Sequence, residues 1–274
     1  MPGAAMSAEL ASHMAAALGL PLFSTDLVMP DYAPGASGRW RLLPGGFAID
    51  HGYFSGPCAT YGMPLLQRNR DDDAHTWDTW MSLSPHEIES QELGCRHAEG
   101  HTVVMGLGMG WAALNIACNA RVRRVTIIER DPEVIDLFRH CGALRALPEA
   151  IAAKVRIVEA DALTWRPDEP VDFLHADIWR TLAEPDTVDH VRRMQANLGA
   201  ACIYFWGQEL FIDALAEAPG PDGARAPGWA ERCIAERIGL PLLSPPGLDY
   251  SDYIARVAAQ RRARWPMGIP DVGR

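Results

Sequence analysis

The sequence predicts an α/β protein: a doubly wound, mostly parallel sheet with a small β-rich N-terminal subdomain before it and a helical C-terminal end after it. Three observations carry that prediction. Apolar runs at residues 102–105, 124–128, 155–159, 171–176 and 201–206 alternate with helical stretches. Strands that are apolar throughout belong to parallel sheets covered on both faces, and right-handed crossovers make such a sheet doubly wound. The first run ends in a turn holding Gly106, Gly108 and Gly110, directly before a helix. Ahead of residue 84 the pattern changes to short β-like runs punctuated by Pro and Gly.

Taken in order, residues 7–19 read as a short helix ending at Gly19, and residues 30–38 as a Pro/Gly/Ser loop. Strand-like runs follow at 39–43, 47–50, 60–67 and 76–83, the first two joined by Pro44-Gly45-Gly46. Residues 1–83 are assigned to the N-terminal subdomain and 84–274 to the α/β domain with its helical extension. Ser84-Pro85-His86-Glu87 opens the next helix as a capping box with a first-turn proline, and that helix runs to about Ala98. Helices are expected at 111–118, 132–141, 147–153 and 188–197 between the sheet strands. Asp131-Pro132 supplies a cap and a first-turn proline for the second of these. Beyond Trp206 the segments 210–218, 229–238 and 250–264 read as helices around a Pro/Gly loop at 219–228, with no strand hairpin to close the sheet.

Composition narrows the function. The 274 residues carry a net charge of −10, and nucleic-acid binding ordinarily needs a basic footprint, so no nucleic-acid partner is favoured. The arginines at 121, 123 and 124 and those at 256, 261, 262 and 264 read as solvated faces, as does the acidic loop Asp71-Asp72-Asp73. The six cysteines form no C-x-x-C pair, which argues against structural zinc and for reduced, packed thiols. No metal site is expected. Glu9 and His13 interrupt the first apolar stretch, and no run is long enough to span a bilayer, so a cytoplasmic protein with no membrane partner is expected.

The chemistry concentrates at the ends of the predicted strands. A dinucleotide fingerprint places its third Gly or Ala at position 111, where this chain has Trp111. The actual spacing is G-x-G-x-G, at 106, 108 and 110. Glu129 ends the second strand 23 residues after Gly106, and a carboxylate there can accept hydrogens from both hydroxyls of a ribose. Asp177 follows the fourth strand, beside the point where a doubly wound sheet reverses its strand order and where ligands bind. Its carboxylate can orient an acceptor amine, take a proton or bind a ligand ammonium. His175, on the same strand, reads as a core histidine. Trp111, Trp179 and Trp206 each fall just past a strand end, and Trp80 can cover the same rim from the N-terminal side. Aromatic walls suit a flat or cationic acceptor.

The G-x-G-x-G loop followed by the strand-end Glu129 resembles motif I of the class I S-adenosylmethionine (AdoMet) methyltransferase superfamily. The resemblance implies a Rossmann-like AdoMet-binding fold. It implies that Gly106, Gly108 and Gly110 make room for the methionine part of AdoMet. It also implies that Asp161 and Ala162, after the third strand, meet the adenine. Residues 60–210 are similar in order to one branch, the polyamine aminopropyltransferases (spermidine-synthase-like proteins). That likeness rests on Val125-Thr-Ile-Ile-Glu129-Arg-Asp-Pro-Glu-Val-Ile135, Glu159-Ala-Asp161-Ala162 and Gln208-Glu209. The departures are specific. The branch's Tyr-His-Glu signature is replaced by Asp78-Thr79-Trp80, and its paired acids after the fourth strand are reduced to Asp177, followed by Ile178-Trp179. The branch and the β-rich N-terminus together suggest a homodimer.

The expected activity is therefore AdoMet-dependent methyl transfer to a small-molecule acceptor, an amine or an aromatic compound. Asp177 is the expected catalytic group, and Trp80, Trp111, Trp179 and Trp206 the expected acceptor pocket. Two alternatives stand beside it: aminopropyl transfer from decarboxylated AdoMet, and a catalytically silent AdoMet-binding protein, which a thin acid–base inventory around Asp177 would suit.

Overall fold

The computed structural model describes residues 7–70, 76–182, 184–218, 220 and 225–264. The acidic run Asp71-Asp72-Asp73 and part of the 219–228 loop lie outside the described residues. Helix α1 (Ala8–Ala17) is followed by two antiparallel sheets. One has the order β1 (Gly35–Ser37), β2 (Trp40–Leu43), β5 (Leu65–Asn69), β6 (Trp77–Ser82); the other pairs β3 (Phe47–His51) with β4 (Pro57–Tyr61).

Two of these strands differ from the sequence expectation. The run 60–67 is two strands and not one. The chain breaks at Gly62, which sits at φ +74°, so β4 pairs with β3 while β5 pairs with β2 and β6. Within the Pro/Gly loop at 30–38, Gly35–Ser37 forms a strand because β2 offers it a partner, with Ala36 opposite Arg41. Tertiary pairing overrides a weak local preference there.

Helix α2 (Pro85–His97) leads into the parallel sheet, whose strands are β7 (Gly100–Met105), β8 (Val122–Glu129), β9 (Val155–Glu159), β10 (Phe173–Ala176) and β11 (Cys202–Phe205). Their order is β11-β10-β7-β8-β9, all parallel. The order reverses between β7 and β10, the strands that precede Gly106 and Asp177. Helices α3 (Trp111–Cys118), α4 (Pro132–Cys141), the single turn α5 (Glu149–Ala152) and α6 (Thr187–Leu198) make the crossovers. Side chains alternate across the sheet as a pleat requires. Val104, Val125, Ile127 and Phe173 enter one buried cluster, whereas Val103, Met105, Ile128, Leu174 and Phe205 enter the other. Both faces are covered, which is why the strands read as unbroken apolar runs.

Trp40, Leu42 and Leu66 belong to the same cluster as Leu107, Met109, Trp111 and Phe138. Residues on the two sides of position 84 thus share one core. Trp40 Nε1 also donates to Asp131 Oδ2 at 2.8 Å, tying β2 to the cap of α4.

No antiparallel strand pair closes the sheet among the described residues. Beyond β11 the chain forms α7 (Gln208–Leu215), α8 (Trp229–Cys233) continuing into a π-helical turn at Ile234–Ile238, and α9 (Tyr250–Arg264). The edge of β11 is instead met by residues 241–243. Ile203 N donates to Pro241 O at 2.9 Å, and Leu243 N to Ile203 O at 2.7 Å. A short parallel bridge satisfies backbone groups that an edge strand would leave open. No helix among the described residues is long and apolar enough to cross a membrane.

Candidate functional site

The carboxyl ends of the sheet strands finish level, and their ladders continue one residue into the loops. Gly106 N donates to Ile128 O at 2.9 Å, Asp177 N to Met105 O at 2.8 Å, Ala160 N to Glu129 O at 2.9 Å and Trp206 N to Ala176 O at 2.9 Å. The backbone of the rim is therefore as fixed as the sheet itself. A cavity of about 900 Å³ opens above this rim. The N-terminal sheet walls it through Trp40, Arg68 and Trp80, and α9 walls it through Val257, Gln260 and Arg261.

The three loop glycines are used differently. All have positive φ: +96° at Gly106, +51° at Gly108 and +75° at Gly110. Gly106 and Gly108 line the cavity. A Cβ on Gly106 would overlap the carbonyl oxygen of Asp177, so this glycine lets β7 and β10 close on each other at the reversal point. A Cβ on Gly108 would lie 2.6 Å from Met81 Sδ. Gly110 is outside the lining; a Cβ there would overlap the Phe138 ring, so its smallness serves the seating of α3 on α4. Trp111, the first residue of α3, is nearly fully buried in the core, and its indole N–H has no partner.

Glu129 stands at the cavity wall, and both of its carboxylate oxygens also brace the loops. Oε2 accepts from Leu107 N at 3.0 Å and Oε1 from Asp131 N at 2.9 Å. Each oxygen keeps a second lone pair. Asp161 lies exposed on the same wall and uses Oδ1 to cap its own turn, accepting from Leu163 N at 2.7 Å; Ala162 beside it is buried. Trp179 and Trp206 line the opposite side of the rim. Trp179 Nε1 donates to His190 Nδ1 at 3.1 Å and Trp206 Nε1 to Ser90 Oγ at 2.7 Å, so both indoles are held by their polar ends. Trp80 packs edge-on to Trp40 with ring centroids 5.3 Å apart, and the Arg68 guanidinium sits over both rings.

The main correction to the sequence reading is at Asp177, which does not stand alone. Glu87 and Gln91, one turn apart on α2, reach the cavity with it. Ser84 Oγ caps α2 by accepting from Glu87 N at 3.3 Å, as a capping box requires, but the Glu87 carboxylate does not turn back to complete the box. It points into the site. The Gln91 amide nitrogen donates to Glu87 Oε1 at 3.1 Å and to Asp177 Oδ2 at 2.7 Å. The Gln91 oxygen lies 2.8 Å from His175 Nε2. Burial holds His175 neutral, its pKa pushed down to about 4, so it donates from Nε2 and fixes which way round the Gln91 amide sits. His175 is thus a core histidine that also aims the group bridging two carboxyls.

Burial pushes the Asp177 carboxyl above the ordinary range. Glu87 is raised by burial first and then by the neighbouring Asp177 charge. Two carboxyls sharing one amide in a low-dielectric site favour holding one proton between them. The acid–base inventory is therefore a coupled pair and not a single acid. The only sequence signal for it was the i, i+4 spacing of Glu87 and Gln91 on the helix that enters β7.

The raised Glu87 pKa has a consequence for folding. A carboxyl raised in the folded state contributes stability that is present below its unfolded value and is lost as pH rises through the folded value. Glu87→Gln keeps an oxygen for Gln91 and removes that loss. The variant is expected to match the wild type near pH 4 and to be more stable by roughly 1–3 kcal/mol above neutral pH. Urea denaturation at pH 4, 6 and 8 checks this; a variant less stable than the wild type at pH 8 would contradict it.

Gln208 and Glu209 lie under the site and not in it. Glu209 is fully buried and accepts from Tyr53 OH at 3.0 Å and Tyr250 OH at 2.9 Å. Burial pushes its pKa up to about 7. Gln208 Nε2 donates to Leu243 O at 2.9 Å and Tyr250 OH at 2.6 Å. These bonds pin the start of α9 to α7 and so set the cavity's far wall. That wall revises the reading of the late arginines. Arg256 and Arg262 are exposed, but Arg261 and Arg264 turn inward and line the cavity.

No family model and no curated protein matches the chain. Solved structures similar to it include the 23S rRNA methyltransferase ErmE, at 20% identity over 42% of this chain and 42% of that one, with a TM-score of 0.33. The glycopeptide N-methyltransferase MtfA complexed with S-adenosyl-L-homocysteine is 18% identical over 47% of this chain and 48% of its own, with a TM-score of 0.34. Protein arginine methyltransferase 10 from Arabidopsis thaliana is 19% identical over 42% and 32%, with a TM-score of 0.33. The chain thus spans less than half the length of each. Overlaps of this extent leave function to be argued from the chain's own residues.

Proposed function

We propose that the protein binds AdoMet along the glycine loop and catalyses methyl transfer to an amine nitrogen of a small molecule. The observation that supports this most is the Glu87–Gln91–Asp177 constellation, which opens into the same cavity as Gly106, Glu129 and Asp161 at the strand-order reversal. The residues fit the cofactor. Gly106 and Gly108 bring bare backbone to the wall, Glu129 offers carboxylate lone pairs suited to a ribose diol, and Asp161 with Ala162 offers an acceptor and an apolar surface to a purine. A cavity of about 900 Å³ has room for cofactor and acceptor together, since pockets for single drug-sized ligands run from about 300 to 1,000 Å³.

Bound AdoMet supplies a methyl group on a sulfonium, a leaving group that needs no activation. The chain's own work is alignment and proton handling. A protonated amine has no lone pair to offer. Asp177, with its pKa raised towards neutrality, is suited to hold the ammonium and take its proton, while Glu87 shares the charge through Gln91. Trp179 and Trp206 wall off the rim beside it.

A second reading, aminopropyl transfer from decarboxylated AdoMet to an amine, draws support from the same acid pair, because Glu87 supplies the second acid missing after β10. Ligand preference separates the two. Thermal shifts are to be measured with AdoMet, decarboxylated AdoMet and S-adenosylhomocysteine. A ligand at 100 times its Kd stabilises by about 2.7 kcal/mol, a rise in Tm of several degrees. Glu129→Gln is expected to weaken whichever ligand binds by tenfold or more, since a hydrogen bond to a charged group contributes about 1.5–3 kcal/mol. Preference for the decarboxylated form would promote aminopropyl transfer, and no shift with any of the three sinks the cofactor reading.

A further inference from the structure

We propose that the acceptor is amphoteric: besides its nucleophilic amine it carries an oxyanion, most simply a carboxylate, which Arg261 binds. The inference rests on the amine-transfer reading for the amine end only; the anion end stands on α9.

Three of the cavity-lining residues of α9, Val257, Arg261 and Arg264, recur at helical spacing, so one stripe of the helix faces the cavity. The stripe ends in two arginines. Arg264 is spoken for: its Nη2 lies 2.9 Å from Asp50 Oδ1 and its Nη1 3.4 Å from His51 O. Arg261 is only partly exposed, yet no ion pair or hydrogen bond reaches its guanidinium among the described residues. An arginine wholly in water needs no partner, but one that has given up part of its hydration at a cavity wall is short of acceptors. Burial lowers its pKa, and the more distant Tyr53 and Asp213, which form no hydrogen bond or ion pair with it, offset that only in part.

The neighbours reinforce the sign. His86, on the first turn of α2, packs edge-on to Tyr53 at 5.5 Å. It is driven down to about 3 by burial and by the charges of Arg264, His51 and Arg261. On the side of the cavity that His86 and Glu87 line as adjacent residues, Arg261 supplies the positive charge and Glu87 with Asp177 the carboxyls; Arg68, Arg130 and Arg180 line the cavity from other elements. A simple alkylamine would satisfy the carboxyls and leave Arg261 bare. An amine bearing a carboxylate satisfies both, and a planar guanidinium is well matched to a carboxylate's two oxygens.

The test compares benzylamine with 4-(aminomethyl)benzoate by calorimetric titration, using wild type and Arg261→Gln, each with and without saturating S-adenosylhomocysteine. The wild type is expected to bind the carboxylate at least tenfold more tightly. Arg261→Gln is expected to bring the two probes to within about threefold while leaving affinity for S-adenosylhomocysteine unchanged. Equal binding of both probes by the wild type, binding of neither, or a preference that survives in the variant overturns the proposal. So does a variant that loses S-adenosylhomocysteine and keeps the preference, for Arg261 would then serve the cofactor. If S-adenosylhomocysteine fails to bind the wild type, the methyl-transfer reading falls, while the probe preference, read without it, still decides the role of Arg261.

Discussion

Asp177→Asn is expected to lower turnover about 100-fold or more, the usual contribution of a positioned general base, with S-adenosylhomocysteine affinity nearly unchanged. The substitution is isosteric. The new amide keeps an oxygen for Gln91, so the bridge to Glu87 and His175 has no reason to collapse, and the backbone bond to Met105 is untouched. What is lost is the ability to take a proton. The pH profile separates this from a merely structural effect. In the wild type a base with a raised pKa works only when deprotonated, so turnover should climb as pH rises through that value and then level off. Asp177→Asn should lose this limb. Glu87→Gln should keep it near its wild-type position, because burial and not the Glu87 charge is what raises Asp177. Steady-state rates from pH 5 to 9 on the three proteins provide the check. A variant as active as the wild type, with the same profile, would remove Asp177 from the chemistry.

The contrast between Asp177 and Glu87 shows which parts of the site were legible in the sequence. Asp177, Glu129 and Asp161 sit just past apolar runs, and a run's end is marked locally by the change from Val, Ile and Leu to Gly, Asp and Ala. Parallel pairing then forces those ends to one rim. Glu87, Gln91 and Arg261 come from helices, where function depends on which face meets the cavity. Helix α2 reads as mostly polar, PHEIESQELGCRH, yet Glu87, Glu89, Ser90 and Gln91 are all buried. Three of them have a distant partner: Glu89 Oε2 accepts from Phe54 N and Ser55 N at 2.9 and 3.0 Å, Ser90 Oγ accepts from the Trp206 indole, and Gln91 Nε2 donates to Asp177 Oδ2. Partners 35 or 116 residues away leave no mark in a local pattern. The arginine run of α9 misled in the same way, since two of its members line the cavity on a helix whose first residue, Tyr250, is tied to Gln208 and Glu209 far from the run itself.

Gly106→Ala is expected to be the most damaging single change in the loop, costing upwards of about 4 kcal/mol, a size reached only when packing or backbone geometry fails. Two penalties add. The backbone at φ +96° lies where a residue with a Cβ is strained by roughly 1–2 kcal/mol. The larger penalty is the overlap of that Cβ with the Asp177 carbonyl oxygen. A backbone oxygen cannot swing aside as a side chain can. Asp177 is held by its N–H bond to Met105 O at 2.8 Å, so β7 and β10 must part, and the Asp177 carboxyl moves with them. Gly108→Ala provides the comparison. It has a positive φ of +51°, but its new Cβ would meet only the tip of Met81 at 2.6 Å from Sδ, and an unbranched thioether repacks readily. Its cost should stay near the roughly 1–2 kcal/mol of backbone strain. Denaturation midpoints for the two variants test the difference. Equal losses would mean that the loop's glycines serve conformation alone, whereas a much larger loss at 106 would identify Gly106 as the residue that lets the first and fourth strands close and so places the glycine loop and Asp177 in one site.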